Sequence, residues 1–158
     1  MNKVIQRTQA IRRGGGNHLA TAEFELRQIA DRLTFQSDLK NFFITFKDDV
    51  RLIAKVISMG IATAETLQAE LSQTFRFNYT LCESAAKIHK DDQDFIVWLI
   101  ASMHKRNSPD ARRLFSRVIM HLSTDNLWLI DAATNDPKIA AILTPVMDKR
   151  HATLPLAA

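Results

Sequence analysis

Apolar residues recur at spacings of three and four along most of this chain of 158 residues. The clearest series is Ala111, Leu114, Phe115, Val118, Ile119 and Leu122. Because an α-helix turns once every 3.6 residues, this spacing puts all of these side chains on one helix face and polar residues on the other. Strands would require apolar and polar residues to alternate between hairpin turns, and the sequence has no such segment. The pattern therefore predicts an all-α protein.

Residues that favour helix ends divide this pattern into separate helices. Helix starts are expected at or close to Asn17, Ser37, Ala64, Thr80, Gln93, Pro109, Asp125 and Pro137. Asn17 has the side chain of an N-cap, and Thr80 opens the sequence TLCE, which has the spacing of a capping box. One long apolar stripe ends at Gly60 with a candidate break at Asp48–Asp49. Pro145 should kink or end the last helix.

Three consecutive glycines, Gly14–Gly16, separate a short basic arm from the rest of the chain. Val4, Ile5, Thr8 and Ile11 would share one side of a helix, but thirteen residues are marginal as an isolated helix in water. We therefore expect residues 1–16 to form a flexible basic arm with its linker. Residues 17–150 are expected to form a compact single-domain bundle of about six to eight helices, followed by a frayed tail over 151–158.

The longest apolar run is FIVWLIA, residues 95–101, which is far shorter than the roughly 20 residues that span a bilayer. Its apolar side chains point to all sides of a helix, so this helix should be the most enclosed one. A single cysteine, Cys82, excludes an intrachain disulfide and fits a reducing compartment. These features predict a soluble cytoplasmic protein without membrane contact.

Residue patterns typical of catalysis or metal binding are missing. The sequence GGG has no strand before it and no Lys-Ser/Thr after it, as a phosphate-binding loop would require. The five histidines and the one cysteine are scattered, whereas a zinc site needs them clustered. Cys82 and His89 lie about 10 Å apart along one helix axis, too far for a nucleophile and its base. We therefore expect a protein without catalytic residues, metal or cofactor.

The strongest charge feature is residues 104–117, which contain five Lys and Arg but only one acid, Asp110. Helical spacing turns these cations outward, where they repel one another unless an anion is bound. A solvated helix face and the dipole of the preceding helix offer a simpler explanation of the same charges. The candidate nucleic-acid-binding residues here are Lys105, Arg106, Arg112, Arg113 and Arg117. The arm would supply a second contact through Lys3, Arg7, Arg12 and Arg13.

Together these patterns favour a non-enzymatic helical accessory subunit that binds the phosphate backbone of DNA or RNA without reading sequence, within a nucleoprotein assembly. The alternative is a protein interaction module, either with other subunits or as a homo-oligomer. The aromatic-rich segment 38–46 is its best candidate surface, and the outward-facing Met120 is a second indication. A helix-turn-helix over residues 62–90 stays open, although the segment between its two helices is long.

Overall fold

The computed structural model describes residues 1–105, 109–133 and 137–153. Every regular element in these ranges is an α-helix, which confirms the predicted all-α helical bundle class. The described residues form ten helices rather than six to eight, because the arm is itself helical and the long stripe before Gly60 is broken. The chain divides into two compact units, Met1–Ile88 and His89–Ala158.

The N-terminal unit contains six helices. They are α1 Asn2–Arg13, α2 His18–Ile29, α3 Phe35–Thr45, α4 Val50–Ser58, α5 Ala64–Ser72 and α6 Tyr79–Ile88. Helix α4 packs against α6 and α2, α1 packs along α2, and α5 contacts both α3 and α6. Apolar side chains from all six helices are buried between them, as the helical spacing of these residues requires.

The N-terminal arm is helical and packs against α2. Val4 and Thr8 are buried on its inner side, and the Thr8 hydroxyl donates a hydrogen bond of 2.8 Å to the carbonyl oxygen of Val4. Tertiary contact thus supplies the stability that thirteen isolated residues lack. The flexibility of this arm and the division into arm, bundle and tail stay predictions.

The break at Asp48–Asp49 is confirmed. Helix α3 ends at Thr45, and the Asp49 side chain caps α4 by accepting a hydrogen bond of 3.2 Å from the Leu52 amide. Gly60, with a φ of +75°, follows α4 in the left-handed conformation that glycine adopts most readily. Asn17 caps α2 as expected, accepting a hydrogen bond of 3.1 Å from the Ala20 amide.

The aromatic-rich segment 38–46 belongs to the core, so its interpretation as an interaction surface is wrong. Leu39, Phe42, Phe43 and Phe46 are all at most 1% exposed. Their spacing of three and four residues turns them together toward the neighbouring helices. Among the large apolar side chains of this segment, Ile44 is the exposed one.

The connection between α5 and α6 spans residues 73–78 and is longer than the three or four residues of a helix-turn-helix. Arg76 and Phe77 have φ angles of 47° and 55°, a left-handed conformation that is unfavourable for residues with a Cβ atom. The Asn78 side chain caps α6 by accepting a hydrogen bond of 3.3 Å from the Leu81 amide. Helix α6 thus starts at Tyr79, close to the predicted start at Thr80, but Thr80 does not cap it, because an asparagine two residues earlier takes the capping role.

The C-terminal unit contains four helices in the described ranges: α7 Gln93–Lys105, α8 Pro109–Ile119, α9 Thr124–Ala133 and α10 Pro137–Thr153. Helix α7 packs against α8 and α9, and α9 packs against α10. Asp92 caps α7 through the Phe95 amide at 3.1 Å, and Ser123 caps α9 through the Asn126 amide at 3.2 Å. Helix α10 continues beyond Pro145, so this proline does not end the helix as one alternative predicted.

Candidate nucleic-acid interface

The predicted basic junction is described in part. Lys105 at the end of α7 and both Arg113 and Arg117 on α8 are exposed. Arg106 and the side chain of Arg112 lie outside the described residues. On the opposite face of α8, Phe115, Val118 and Ile119 are buried, which is the orientation that the apolar series predicted. Met120, the residue that follows α8, is apolar and 66% exposed.

Two of the four predicted arm cations face carboxylates. Arg7 Nη1 lies 2.6 Å from Glu25 Oε1 on α2. Arg12 Nη1 lies 3.5 Å from Asp49 Oδ2, and its guanidinium carbon is 5.0 Å from the centre of the Phe46 ring. Lys3 and Arg13 are exposed and form no ion pair with any described residue.

Asp49 joins three helices at one point. Its Oδ2 atom lies 2.8 Å from His18 Nε2 on α2 and within reach of Arg12 on α1, while Oδ1 caps α4. Burial alone would raise the pKa of this carboxyl group, but hydrogen bonds with His18 and the Leu52 amide outweigh burial, so its pKa lies below the usual value. The ionised form is thus favoured, and it anchors α1 and α2 to the start of α4.

A groove with a volume of about 640 Å³ runs between α4 and α6 and is bordered by Leu19 of α2. We call it the α4–α6 groove. Three cations line it: Arg51 and Lys55 from α4, and Lys87 from α6. None of the described residues that line it is acidic. Three basic side chains in one cavity repel one another, which favours an anionic occupant.

One carboxylate stands near the groove without lining it. Glu23 Oε2 on α2 lies 3.2 Å from Lys55 Nζ, and Glu23 also pairs with Arg27 along its own helix. Hydrogen bonds from Lys55 and Arg27 lower the pKa of Glu23. Arg51 and Lys87 are exposed and form no ion pair within the described ranges, so their charges stay available.

Sequence reasoning missed the three groove cations. Arg51 and Lys55 lie four residues apart on one helix. This spacing could have predicted that both cations share a helix face. Lys87 lies on another helix, and no local pattern shows that α4 and α6 pack together.

The described parts of the chain contain no cluster of metal-ligand side chains. No three His, Cys, Asp or Glu side chains lie close enough together there to hold a metal ion. The Cys82 side chain is fully buried. None of the helices in these parts combines the length and the apolar character that a bilayer crossing requires.

Comparison with protein-family models, with curated proteins and with solved structures gave no match.

Proposed function

We propose that this protein is a non-enzymatic accessory subunit that binds the phosphate backbone of DNA or RNA without reading sequence. The supporting observation is the set of exposed cations that form no ion pair with described residues. In the N-terminal unit they include Lys3, Arg13, Arg51 and Lys87, and in the C-terminal unit Lys105 and Arg113. Such cations lose no ion pair on binding phosphate, and binding releases counterions from the nucleic acid.

The residues named from sequence contribute unequally to this proposal. Lys105, Arg106, Arg112, Arg113 and Arg117 would neutralise phosphates from one surface, while Lys3 and Arg13 would do so from α1. Arg7 and Arg12 would first have to leave Glu25 and Asp49, so they should contribute less. A nucleoprotein assembly in the cytoplasm is the expected setting, because a lone cysteine suits a reducing compartment.

The test is fluorescence anisotropy of labelled DNA and RNA, single-stranded and duplex, measured over a series of salt concentrations. We expect the logarithm of the association constant to fall linearly with the logarithm of the salt concentration. The slope should be roughly 0.7 to 0.9 for each phosphate contacted. The double variant Arg113→Ala, Arg117→Ala should weaken binding on every sequence. The matched control is Lys149→Ala, an exposed lysine on α10. Undetectable binding at low salt, or binding that salt leaves unchanged, would refute the proposal.

A protein interaction module is the second candidate, and large apolar side chains at the surface of the C-terminal unit favour it. Met120 is 66% exposed and Trp128 is 53% exposed. Tryptophan and methionine are enriched where proteins contact one another. Multi-angle light scattering tests the homo-oligomeric form of this function: a mass above that of one chain, lowered by Trp128→Ala and insensitive to salt, would support it.

A further inference from the structure

We infer that the α4–α6 groove is a binding site for single-stranded nucleic acid, with Arg51, Lys55 and Lys87 contacting its phosphates. This inference rests on the proposed function and adds to it a location and a form of nucleic acid. The groove lies outside both basic segments that the sequence analysis singled out, so the two sites can be tested separately.

The groove brings cations from two helices onto one cavity. Arg51 and Lys55 are one helical turn apart on α4, about 6 Å along its axis. Lys87 comes from α6, which packs directly against α4. A strand lying in the groove would therefore meet positive charge from both of its walls. Cations on two walls can contact phosphates on both sides of a strand, whereas a row of cations along one helix reaches only one side.

The apolar part of the groove suits the sugars between the phosphates. Leu19, Val50, Ala54 and Ile88 contribute aliphatic surface to the lining. A phosphodiester strand alternates charged phosphates with sugar rings that present C–H groups, so it matches cations beside aliphatic side chains. Apolar surroundings also strengthen each charge–charge attraction, because they lower the local dielectric constant.

The hydroxyl groups of the lining are mostly occupied by the protein. Ser58 donates to the carbonyl oxygen of Ala54 at 3.0 Å, and Ser84 donates to that of Thr80 at 3.0 Å. They have no proton left to donate to a base edge or a phosphate. Apart from Thr80, the cations are therefore the side chains of the lining that can donate to a phosphate, which fits recognition of the backbone without reading of bases.

The size of the groove favours one strand over two. The groove volume of about 640 Å³ is in the range of pockets that hold small ligands. A rigid duplex would contact only the outer ends of the cationic side chains, whereas a flexible single strand can enter the groove along the two packed helices.

The experiment compares an oligothymidine with a duplex by fluorescence anisotropy, using the full chain. The groove variant is Arg51→Ala, Lys87→Ala. Its matched control is Lys40→Ala, an exposed lysine on α3 that does not line the groove. We expect the groove variant to lose about tenfold in affinity for the single strand and about 1.4 units of salt slope, roughly 0.7 for each cation removed. The control should change affinity by less than about twofold. Circular dichroism verifies that both variants keep their helices.

A second variant tests the groove through an expected gain in affinity instead of a loss. Glu23→Gln removes the carboxylate that pairs with Lys55 and leaves every groove cation in place. We expect it to bind the oligothymidine about two- to fivefold more tightly, which corresponds to the range measured for surface ion pairs. Loss of folding cannot imitate such a gain, and a gain above that of Glu25→Gln, which removes the same charge outside the groove, assigns the effect to the groove.

The possible failures can be told apart. If the wild-type protein binds no nucleic acid at low salt, the proposed function fails and the groove inference fails with it. If the wild-type protein binds but the groove variant behaves like Lys40→Ala, the groove inference alone is overturned. Equal loss of duplex and single-strand binding would overturn the preference for one strand. Displacement of the oligothymidine by polyglutamate at equal charge concentration would instead assign the groove to an acidic protein segment.

Discussion

Helix α1 and the α4–α6 groove both carry several cations, but these cations differ in what they face. Arg7 and Arg12 of α1 each lie next to a carboxylate, Glu25 and Asp49 respectively. In the groove, Lys55 faces Glu23, whereas Arg51 and Lys87 have no such partner among the described residues. Along the sequence the arm looks far more basic than the segments that form the groove. The availability of a charge therefore depends on its neighbours in space and not on its neighbours in the chain.

The carboxylates next to α1 suggest that half of its cations hold the helix in place. Arg12 combines an ion pair with the face of a buried aromatic ring, which is a stronger attachment than either contact alone. Arg7 is 62% exposed, so its ion pair with Glu25 contributes at most about 1 kcal/mol. Breaking these contacts one at a time tests the comparison between α1 and the α4–α6 groove.

Phe46→Ala should have the largest effect. Phe46 is 1% exposed, packs against Phe42 with 4.7 Å between ring centres, and lies under the Arg12 guanidinium. We expect the free energy of unfolding to fall by about 3 to 5 kcal/mol in urea titrations. Phe46→Leu keeps most of the volume but removes the ring. It should lose less stability while still exposing α1 to trypsin cleavage after Arg12 or Arg13. Cleavage as slow as in the wild-type protein would show that the ring does not hold α1.

Asp49→Ala should cost about 1 to 2 kcal/mol, because it removes the cap of α4 and the partner of both His18 and Arg12. Asp49→Asn is the control, since asparagine also caps helices but carries no charge. We expect the asparagine variant to lose clearly less stability in urea and to bind nucleic acid more tightly, because Arg12 is released. Equal losses for the two variants would mean that the ion pairs matter more than the cap.

Replacing each of the two glutamates of α2 compares α1 and the α4–α6 groove as binding surfaces for nucleic acid. Glu25→Gln frees Arg7 on α1, and Glu23→Gln frees Lys55 at the groove together with Arg27 on α2. Both changes remove one negative charge, so a purely nonspecific charge effect would raise nucleic-acid affinity equally. We expect the gain for Glu23→Gln to exceed that for Glu25→Gln in anisotropy measurements, because only Lys55 lines the groove. A larger gain for Glu25→Gln would make α1 the main binding surface.

The pH dependence should be the smallest effect. Because the pKa of Asp49 is lowered in the folded protein, its contribution is complete above the ordinary value of 3.8 and is lost as the pH falls through the folded value. The melting temperature of the wild-type protein should therefore decline below about pH 3.8 more steeply than that of Asp49→Asn. Parallel curves for the two proteins would show that Asp49 adds no charge-dependent stability.

Local patterns predicted most of the fold. The apolar face of α8, the Asn17 cap and the break before α4 all follow from residues within a few positions of one another. The same reasoning failed where two nearby residues compete, as when Asn78 caps α6 in place of the predicted Thr80. It also misread the aromatic segment 38–46, because periodicity gives a helix face but not the surroundings of that face.

The candidate sites depend on contacts that are distant in sequence. Arg12 and Asp49 are 37 positions apart, so the basic composition of the arm gave no sign that one of its charges is paired. Lys55 and Lys87 belong to different helices, and their common cavity exists only because α4 and α6 pack together. Outward orientation was predictable from helical spacing, as the exposed Arg113 shows. Pairing between charges was not.

Arg150 on α10 illustrates how deletion mapping could mislead. Its guanidinium donates hydrogen bonds of 2.5 Å to the carbonyl oxygen of Leu122 and 3.5 Å to that of Ile119, at and just beyond the end of α8. Shortened versions of the protein that stop before residue 150 would remove this clamp and loosen the helix that carries Arg113 and Arg117. Lost binding in such versions would then report damage to a remote helix and not a contact made by the deleted residues.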